Sequence, residues 1–409
     1  MKRIIVCMDG TWQTLSQNEL TNIAVIARSI AHKETRNDGS YVDQLVIYDE
    51  GVGSTIGALA RRDLAGRIFA GMTRFFGGAF GEGLDDLVLD TYLRIAFNYE
   101  KGDEIFIFGF SRGAFAARRL AGFIETAGVV SRLHTDRAAD GYNLYFDKPG
   151  DRAPDDVKQK FEADARNFRM TYGKGERNAD GTRKQTDDAP PIKYLGIFET
   201  VAQRGLAEVV ASFTPWDDSR RFRFANYRVS SNVENARHAT AVDENRIGFP
   251  ALLWECLDED NKRLGRQAYQ QRWFIGTHSD VGGGDGSKLA AAALKWITDG
   301  ARDAGLRFYA SYGDDHSPLD DALRGVADCY QAPITRVRGW DAIMPPNYPW
   351  RPRKVWIRKE KPTAEDLFEY LDQTIVERAR LDTLRPHYRP SALKAFRTLI
   401  KEWRDPAQH

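Results

Sequence analysis

Five short runs of this chain, residues 4–8, 45–48, 105–108, 192–198 and 273–275, are dominated by apolar side chains and end where turn residues begin. Each is rich in branched or aromatic residues and none alternates with polar ones. That is how a strand buried on both faces of a parallel sheet reads. Helical patterns separate the runs. Residues 22–32 place Ile23, Ile26, Ala27 and Ile30 on one face, and residues 82–97 form a stripe of Leu84, Leu87, Val88, Thr91, Ile95 and Ala96. Residues 113–127 repeat Ala114, Ala117, Leu120, Ala121 and Ile124 at helical spacing. Strands alternating with helices predict an α/β fold, a mostly parallel sheet with helices on both faces.

The rhythm breaks over residues 131–191, which are polar and punctuated by Pro149-Gly150, Gly173-Lys174-Gly175 and Pro190-Pro191. This block predicts an inserted, lid-like segment between two core strands. Within it residues 154–172 form a helix on Val157, Phe161, Ala165 and Phe168, and residues 173–189 form a mobile loop. Residues 330–409 predict a helical C-terminal extension packed on the core, with helices over 362–381 and 391–403. The whole, residues 1–409, is expected to be one decorated domain.

Composition removes several function classes. Lys plus Arg (59) balance Asp plus Glu (58), so no bulk field draws in nucleic acid. The cysteines Cys7, Cys256 and Cys329 form no Cys-x-x-Cys, which argues against a disulfide framework and a structural zinc site. The apolar run at the N-terminus is too short for a signal peptide, and no stretch of 18 apolar residues could cross a bilayer. The expected location is cytoplasmic, or exported without a cleavable signal. Residues 51–83 are rich in Gly, Ala and Phe, but Arg61, Arg62, Asp63, Arg67 and Arg74 interrupt them. A buried or lid-like loop fits that charge count better than an inserted segment, with peripheral membrane contact left open.

The chemistry centres on Gly109-Phe110-Ser111-Arg112-Gly113, which follows the run 105–108 and opens the Ala-rich helix. Strand, sharp turn and helix is the context of a nucleophile elbow. The serine must take a strained backbone conformation to lift its hydroxyl above the sheet. Gly109 and Gly113, lacking side chains, let helix and strand pass closely. The helix N-terminus aims N–H groups at a developing oxyanion. The expected fold is therefore of the α/β-hydrolase type, with Ser111 as nucleophile.

A base and an orienting acid should follow in the order Ser, acid, His. Of the downstream histidines His238, His278, His316 and His387, His278 stands out. It follows Trp273-Phe274-Ile275-Gly276 and precedes Ser279-Asp280-Val281-Gly282-Gly283-Gly284, a strand ending in a glycine-rich loop. For the acid, residues 192–198 end at Glu199, whose carboxylate would emerge at the carboxyl edge of the sheet. Asp243 is the alternative acid, and Asp280 is expected to brace the Gly loop. The first run ends in Asp9-Gly10-Thr11, where Asp9 closes a turn. Oxyanion donors are expected from the N–H of Arg112 and from Gly10 or Thr11. Asp9, Asp49, Glu50 and Asp280 in loop positions leave a Mg²⁺ or Ca²⁺ site as a rival reading. The main reading needs no cofactor and no metal.

Together, Asp9-Gly10-Thr11-Trp12, Tyr48-Asp49-Glu50-Gly51-Val52-Gly53, Gly109-Phe110-Ser111-Arg112-Gly113-Ala114 and the His278–Gly284 loop resemble the DUF2235 group. That group is the α/β-hydrolase domain of type VI secretion phospholipase effectors of the first class (Tle1-like). The resemblance covers residues 1–290, and Tyr388-Arg389-Pro390 is similar to a family ending. It implies a Ser-Asp-His triad and phospholipid ester hydrolysis, with a secretion-system or immunity partner. Ser111 and His278 match directly. Where the family reads Asp-Thr-Val, this chain has Glu199-Thr200-Val201. The expected activity is hydrolysis of a lipid or small ester through an acyl-enzyme, with residues 66–83 as the acyl wall. The rivals are a soluble small-acyl esterase or thioesterase and a non-catalytic binding module on the same fold.

Overall fold

The structure, a computed structural model, describes residues 1–10, 18–50, 80–150, 153–177, 183–184, 187–201, 227–245, 249, 251–311, 316–334, 370–381, 388, 391–396 and 399–400. The strands are β1 (Lys2–Met8), β2 (Lys33–Thr35), β3 (Tyr41–Asp49), β4 (Glu104–Phe110), β5 (Ile192–Phe198), β6 (Ala236–Ala241) and β7 (Tyr269–Phe274). They form one seven-stranded sheet in the order β2-β3-β1-β4-β5-β6-β7. All pairings are parallel except the short edge strand β2 against β3. Strand β1 lies inside the sheet, with Ile4 opposite Leu45 on one side and Ile105 on the other. That placement explains why its apolar run does not alternate: Ile4, Ile5, Val6, Cys7 and Met8 are all fully buried.

The helices used below are α1 (Asn22–Ser29), α2 (Phe80–Asn98), α3 (Arg112–Ala127), α4 (Ala138–Phe146), α5 (Asp155–Tyr172), α6 (His278–Gly282), α7 (Ala290–Asp303) and α8 (Gln373–Arg380). On one face, Val88 and Tyr92 of α2 and Leu120 and Ile124 of α3 pack on Ile105, Ile107 and Ile197. On the other, Ile23 and Ile26 of α1 and Leu294 and Ile297 of α7 pack on Phe106, Phe108 and Phe198. The helical stripes read from the sequence are the buried faces of α1, α2 and α3. Residues 131–191 contribute α4 and α5. The stretch expected as a loop holds a small hairpin, Glu176–Arg177 against Arg183–Lys184.

Strand β6 escapes sequence reading. Its Ala-Arg-His-Ala-Thr-Ala has no branched apolar run, yet it lies between β5 and β7. Small side chains suffice there because Trp254 stacks edge-on against His238 at 5.2 Å and Trp296 lies 5.3 Å from the Arg237 guanidinium. At the C-terminus, Leu371 bridges to Trp273 beside the sheet edge, and α8 starts only at Gln373. Residues 362–369 lie outside the described residues. Of the helix expected over 391–403, Ser391–Phe396 is a 3-10 turn and residues 399–400 are helical, the remainder lying outside the described residues. Leu371, Ile375, Val376, Leu393 and Ile400 pack on Val242, Trp273 and Ile275.

One contact positions the site. A Cβ on Gly113 would stand 2.0 Å from the Met8 carbonyl oxygen and 2.6 Å from that of Asp9. A Cβ on Gly109 would stand 2.5 Å from the Gly113 carbonyl oxygen. Helix α3 thus sits directly on the ends of β1 and β4, with backbone against backbone. Gly113→Ala is expected to cost about 1–3 kcal/mol in urea unfolding, towards the upper end because no side chain can move aside. Gly150→Ala, at an exposed glycine with open space around its Cα, should change stability by less than about 0.5 kcal/mol. Equal effects would show that the contact is not tight.

Candidate active site

Strand β4 ends at Phe110 and α3 begins at Arg112, so Ser111 must reverse the chain alone. It does so at φ 58° and ψ −117°. Non-glycine residues at positive φ are strained by about 1–3 kcal/mol. Among the described residues other than glycine, Ser111, Glu199 and Cys256 have positive φ, and the first two meet at one place. The N–H of Ser111 donates to the Phe198 carbonyl at 3.0 Å, which locks the turn to the end of β5.

The Ser111 hydroxyl lies 2.9 Å from His278 Nε2. On the far side of the ring, Nδ1 lies 2.9 Å from Glu199 Oε2. A carboxylate that is ionised can only accept, which would put the proton on Nδ1 and leave Nε2 to accept from the serine hydroxyl. Glu199 is fully buried, and its Oε1 accepts the N–H of Ala241 at 2.6 Å. The imidazole is flanked by Phe110, 4.8 Å away by ring centroids, and by Phe249, edge-on at 5.1 Å. Each of the three residues follows a strand end: Ser111 after β4, Glu199 after β5, His278 shortly after β7.

The other sequence candidates take different places. Asp243 does not touch the imidazole. Its Oδ2 accepts from the Gly276 N–H at 2.7 Å and from the Tyr388 hydroxyl at 2.8 Å, and burial pushes its carboxyl up to about 6. Asp280 accepts from the N–H and hydroxyl of Thr277, closing a capping box on α6. His238 lies away from Ser111: its Nδ1 lies 3.0 Å from Gln271 Oε1, and its Nε2 accepts from the Thr200 N–H. His316 is exposed near Arg324. His387 lies outside the described residues. Sequence reasoning missed Glu244, which accepts the His278 N–H at 3.2 Å. It also missed Phe249 and Tyr388, whose roles depend on the unrecognised strand β6 and its exit loop.

The first loop differs from expectation in one respect. The Gly10 N–H donates to its neighbour Asp9 Oδ1 at 2.7 Å, and the Asp9 N–H donates to the Asp49 carbonyl. The Gly10 donor is thus engaged inside the loop. Thr11, and residues 51–79 of the proposed lid and acyl wall, lie outside the described residues. Arg112 opens α3 beside Ser111, with burial drawing its guanidinium down to about 9. Asp9 also accepts from Thr21 and Tyr48, Asp49 accepts from Thr91 and Arg94, and Glu50 is exposed. Among the described residues no group of three or more His, Cys, Asp or Glu side chains could hold a metal ion. None of the described helices is long and apolar enough to cross a membrane.

A parallel sheet of this topology, with a strained serine at the β4–α3 turn in line with a histidine and a buried carboxylate, is the architecture of the α/β hydrolases. Residues 2–300 match the family described as the catalytic domain of Tle1-like phospholipase effectors of the type VI secretion system. The chain belongs to that family. It is also 28% identical over 254 residues to an uncharacterized protein of Saccharomyces cerevisiae, covering 62% of this chain but 33% of the yeast protein. An uncharacterized Pseudomonas aeruginosa protein of known structure aligns at 16% identity and a TM-score of 0.38, over 83% of this chain and 52% of that one. A Tle1 effector bound to the VgrG spike of the type 6 secretion system aligns at 14% identity and a TM-score of 0.34, over 85% and 76%.

Burial raises the Asp9 carboxyl from its usual 3.8 to about 6, against the pull of its hydrogen bonds to Thr21, Tyr48 and Gly10. An acid whose pKa rises on folding takes up a proton between its unfolded and folded values. Its contribution to stability therefore grows as pH falls from above 6 towards 4, and its charged form costs stability above 6. The stability gap between the parent and Asp9→Asn should move in the parent's favour by up to about 1.4 kcal/mol per pH unit across that window. Urea unfolding at pH 7, 6 and 5 measures it, and a flat gap would show that Asp9 stays charged.

Proposed function

We propose that this protein hydrolyses carboxylic esters of lipids, with phospholipids as the substrate class, through a covalent acyl-enzyme. The observation that carries the reading is the continuous line from Ser111 Oγ to His278 Nε2 and from Nδ1 to Glu199 Oε2, both steps 2.9 Å, in a chain of the Tle1-like family. His278 takes the Ser111 proton as the oxygen attacks the ester carbonyl, and Glu199 stabilises the imidazolium and holds its tautomer. The N–H of Arg112, at the start of α3, donates to the oxyanion, and the helix N-terminus adds positive potential. His278 then returns the proton to the departing alcohol. Water, activated by the same imidazole, releases the acid. No step needs a cofactor.

Glu199 fills the role that the family pattern gives to Asp. Its backbone turns to φ 48° at the end of β5, and its carboxylate lies 2.9 Å from the ring. The same family membership supports a secretion-system component or an immunity protein as partner and peripheral contact with a lipid surface.

Ser111→Ala should lower turnover by roughly 10⁴-fold or more while preserving the fold, and His278→Ala should match it without adding to it in the double variant. A Ser111→Ala protein with a tenth of the parent rate would move the nucleophile elsewhere. Labelling by a fluorophosphonate, lost in Ser111→Ala, separates the enzyme from a binding module.

Glu199→Gln keeps a hydrogen-bonding group but loses the charge, and should cost about 10²- to 10⁴-fold in kcat. Glu199→Asp should recover part of that loss. Asp243→Asn should cost far less than Glu199→Gln, and the reverse ranking would hand the acid's role to Asp243. Product analysis on defined phospholipids and on p-nitrophenyl esters of increasing chain length tests the substrate class. A preference for acetyl or butyryl esters with no phospholipid turnover would favour a small-acyl esterase.

A further inference from the structure

The end of β6 and the loop that leaves it hold both Glu199 and His278. The Ala241 N–H reaches Glu199, and Glu244 accepts the His278 N–H. Between them Asp243 is tied twice to Gly276: its N–H donates to the Gly276 carbonyl at 3.0 Å, and its carboxylate accepts the Gly276 N–H. Gly276 stands two residues ahead of His278 at φ +104° and turns the chain out of β7.

The carboxylate of Asp243 is itself held from far along the chain. The Tyr388 hydroxyl donates to the same oxygen, and the Arg378 guanidinium lies 5.1 Å from the Tyr388 ring. Arg378 Nη1 donates to the carbonyls of Tyr330 and Ala332, and the Asp372 N–H donates to the Trp273 carbonyl. Chain beyond the 2–300 stretch that matches the family therefore bonds β7 directly at Trp273 and reaches Gly276 through Asp243.

We infer that Asp243 and Tyr388 are positioning residues for His278: the Tyr388 hydroxyl fixes the Asp243 carboxylate, the carboxylate fixes Gly276, and the turn sets the imidazole between Glu199 and Ser111. The inference rests on the reading of His278 as the base. Asp243 is then no substitute acid. It acts on the backbone that carries the ring, and the C-terminal segment becomes part of the catalytic apparatus.

The test compares Tyr388→Phe, Asp243→Ala and Asp243→Asn in the full chain. It reads kcat and KM on a p-nitrophenyl ester, the rate of fluorophosphonate labelling at Ser111, and melting temperature. Tyr388→Phe should lower kcat and labelling rate together by about tenfold, and Asp243→Ala by about 100-fold, with KM nearly unchanged, because misplacing a reacting group by about 1 Å costs on that order. Asp243→Asn keeps an oxygen for both donors and should return to within a few-fold of the parent. Parent-like kcat and labelling in Tyr388→Phe overturn the inference whatever the melting temperature does, and so does a loss confined to KM. If Asp243→Ala fails to fold, the contrast between Tyr388→Phe and Asp243→Asn decides. A parent that is not labelled at Ser111 removes the catalytic reading itself, whereas a labelled parent with parent-like variants removes only the brace.

Discussion

The carbonyls of Met8 and Asp9 occupy the space where a side chain on Gly113 would stand, and this contact sets how closely α3 approaches the sheet. With the helix pressed onto the strand ends, one residue remains to connect β4 to α3. That residue has to adopt a left-handed backbone. Ser111 carries the strain because the strands below and the helix above are both fixed by burial, with Ile105, Phe106, Ile107 and Phe108 fully enclosed. The half-buried position of its hydroxyl, beside His278, is a consequence of packing at the neighbouring strand ends.

Around the serine, acidic side chains act mostly on backbone amides. Asp9 receives Gly10, Asp243 receives Gly276, Glu244 receives His278 and Asp280 receives Thr277. A carboxylate that accepts an N–H is favoured in its charged form, while burial opposes the charge. In Asp9 and Asp243 burial prevails and the carboxyl rises to about 6. Glu199 differs in dividing its two oxygens between an amide and an imidazole. There the carboxylate reaches the ring directly.

The sequence makes legible what depends on local pattern. Ser111, Glu199 and His278 could each be picked out because each follows an apolar run that ends in a turn, and the structure brings those three side chains into one hydrogen-bonded line. Strand β6 could not, because its Ala-Arg-His-Ala-Thr-Ala owes its place to large partners, Trp254 and Trp296, supplied from elsewhere. Losing β6 hid its exit loop, and with it Glu244 and the setting of Asp243. The bond from the Gly10 N–H to Asp9 has no local signature either. Thr21 and Tyr48, which hold the Asp9 carboxylate, come from distant parts of the chain. Tyr388 had no periodic signal at all, since a single tertiary hydrogen bond leaves no imprint on spacing.

The central place of β1 has a consequence for how the chain comes together. Arg3 pairs with Gln44 on one side and with Glu104 on the other, so the first strand cannot complete its ladder until residues near 110 have been made and ordered. Parallel pairings of such wide separation are slow to close, because loop entropy is lost before contacts repay it. Until then Ile4-Ile5-Val6-Cys7-Met8, five apolar residues without an interposed charge, remain solvent-exposed and prone to pair with other chains. Refolding of this protein is thus a race between sheet closure and self-association. Dilution or a chaperone that shields the N-terminal strand shifts its outcome without altering a single native contact.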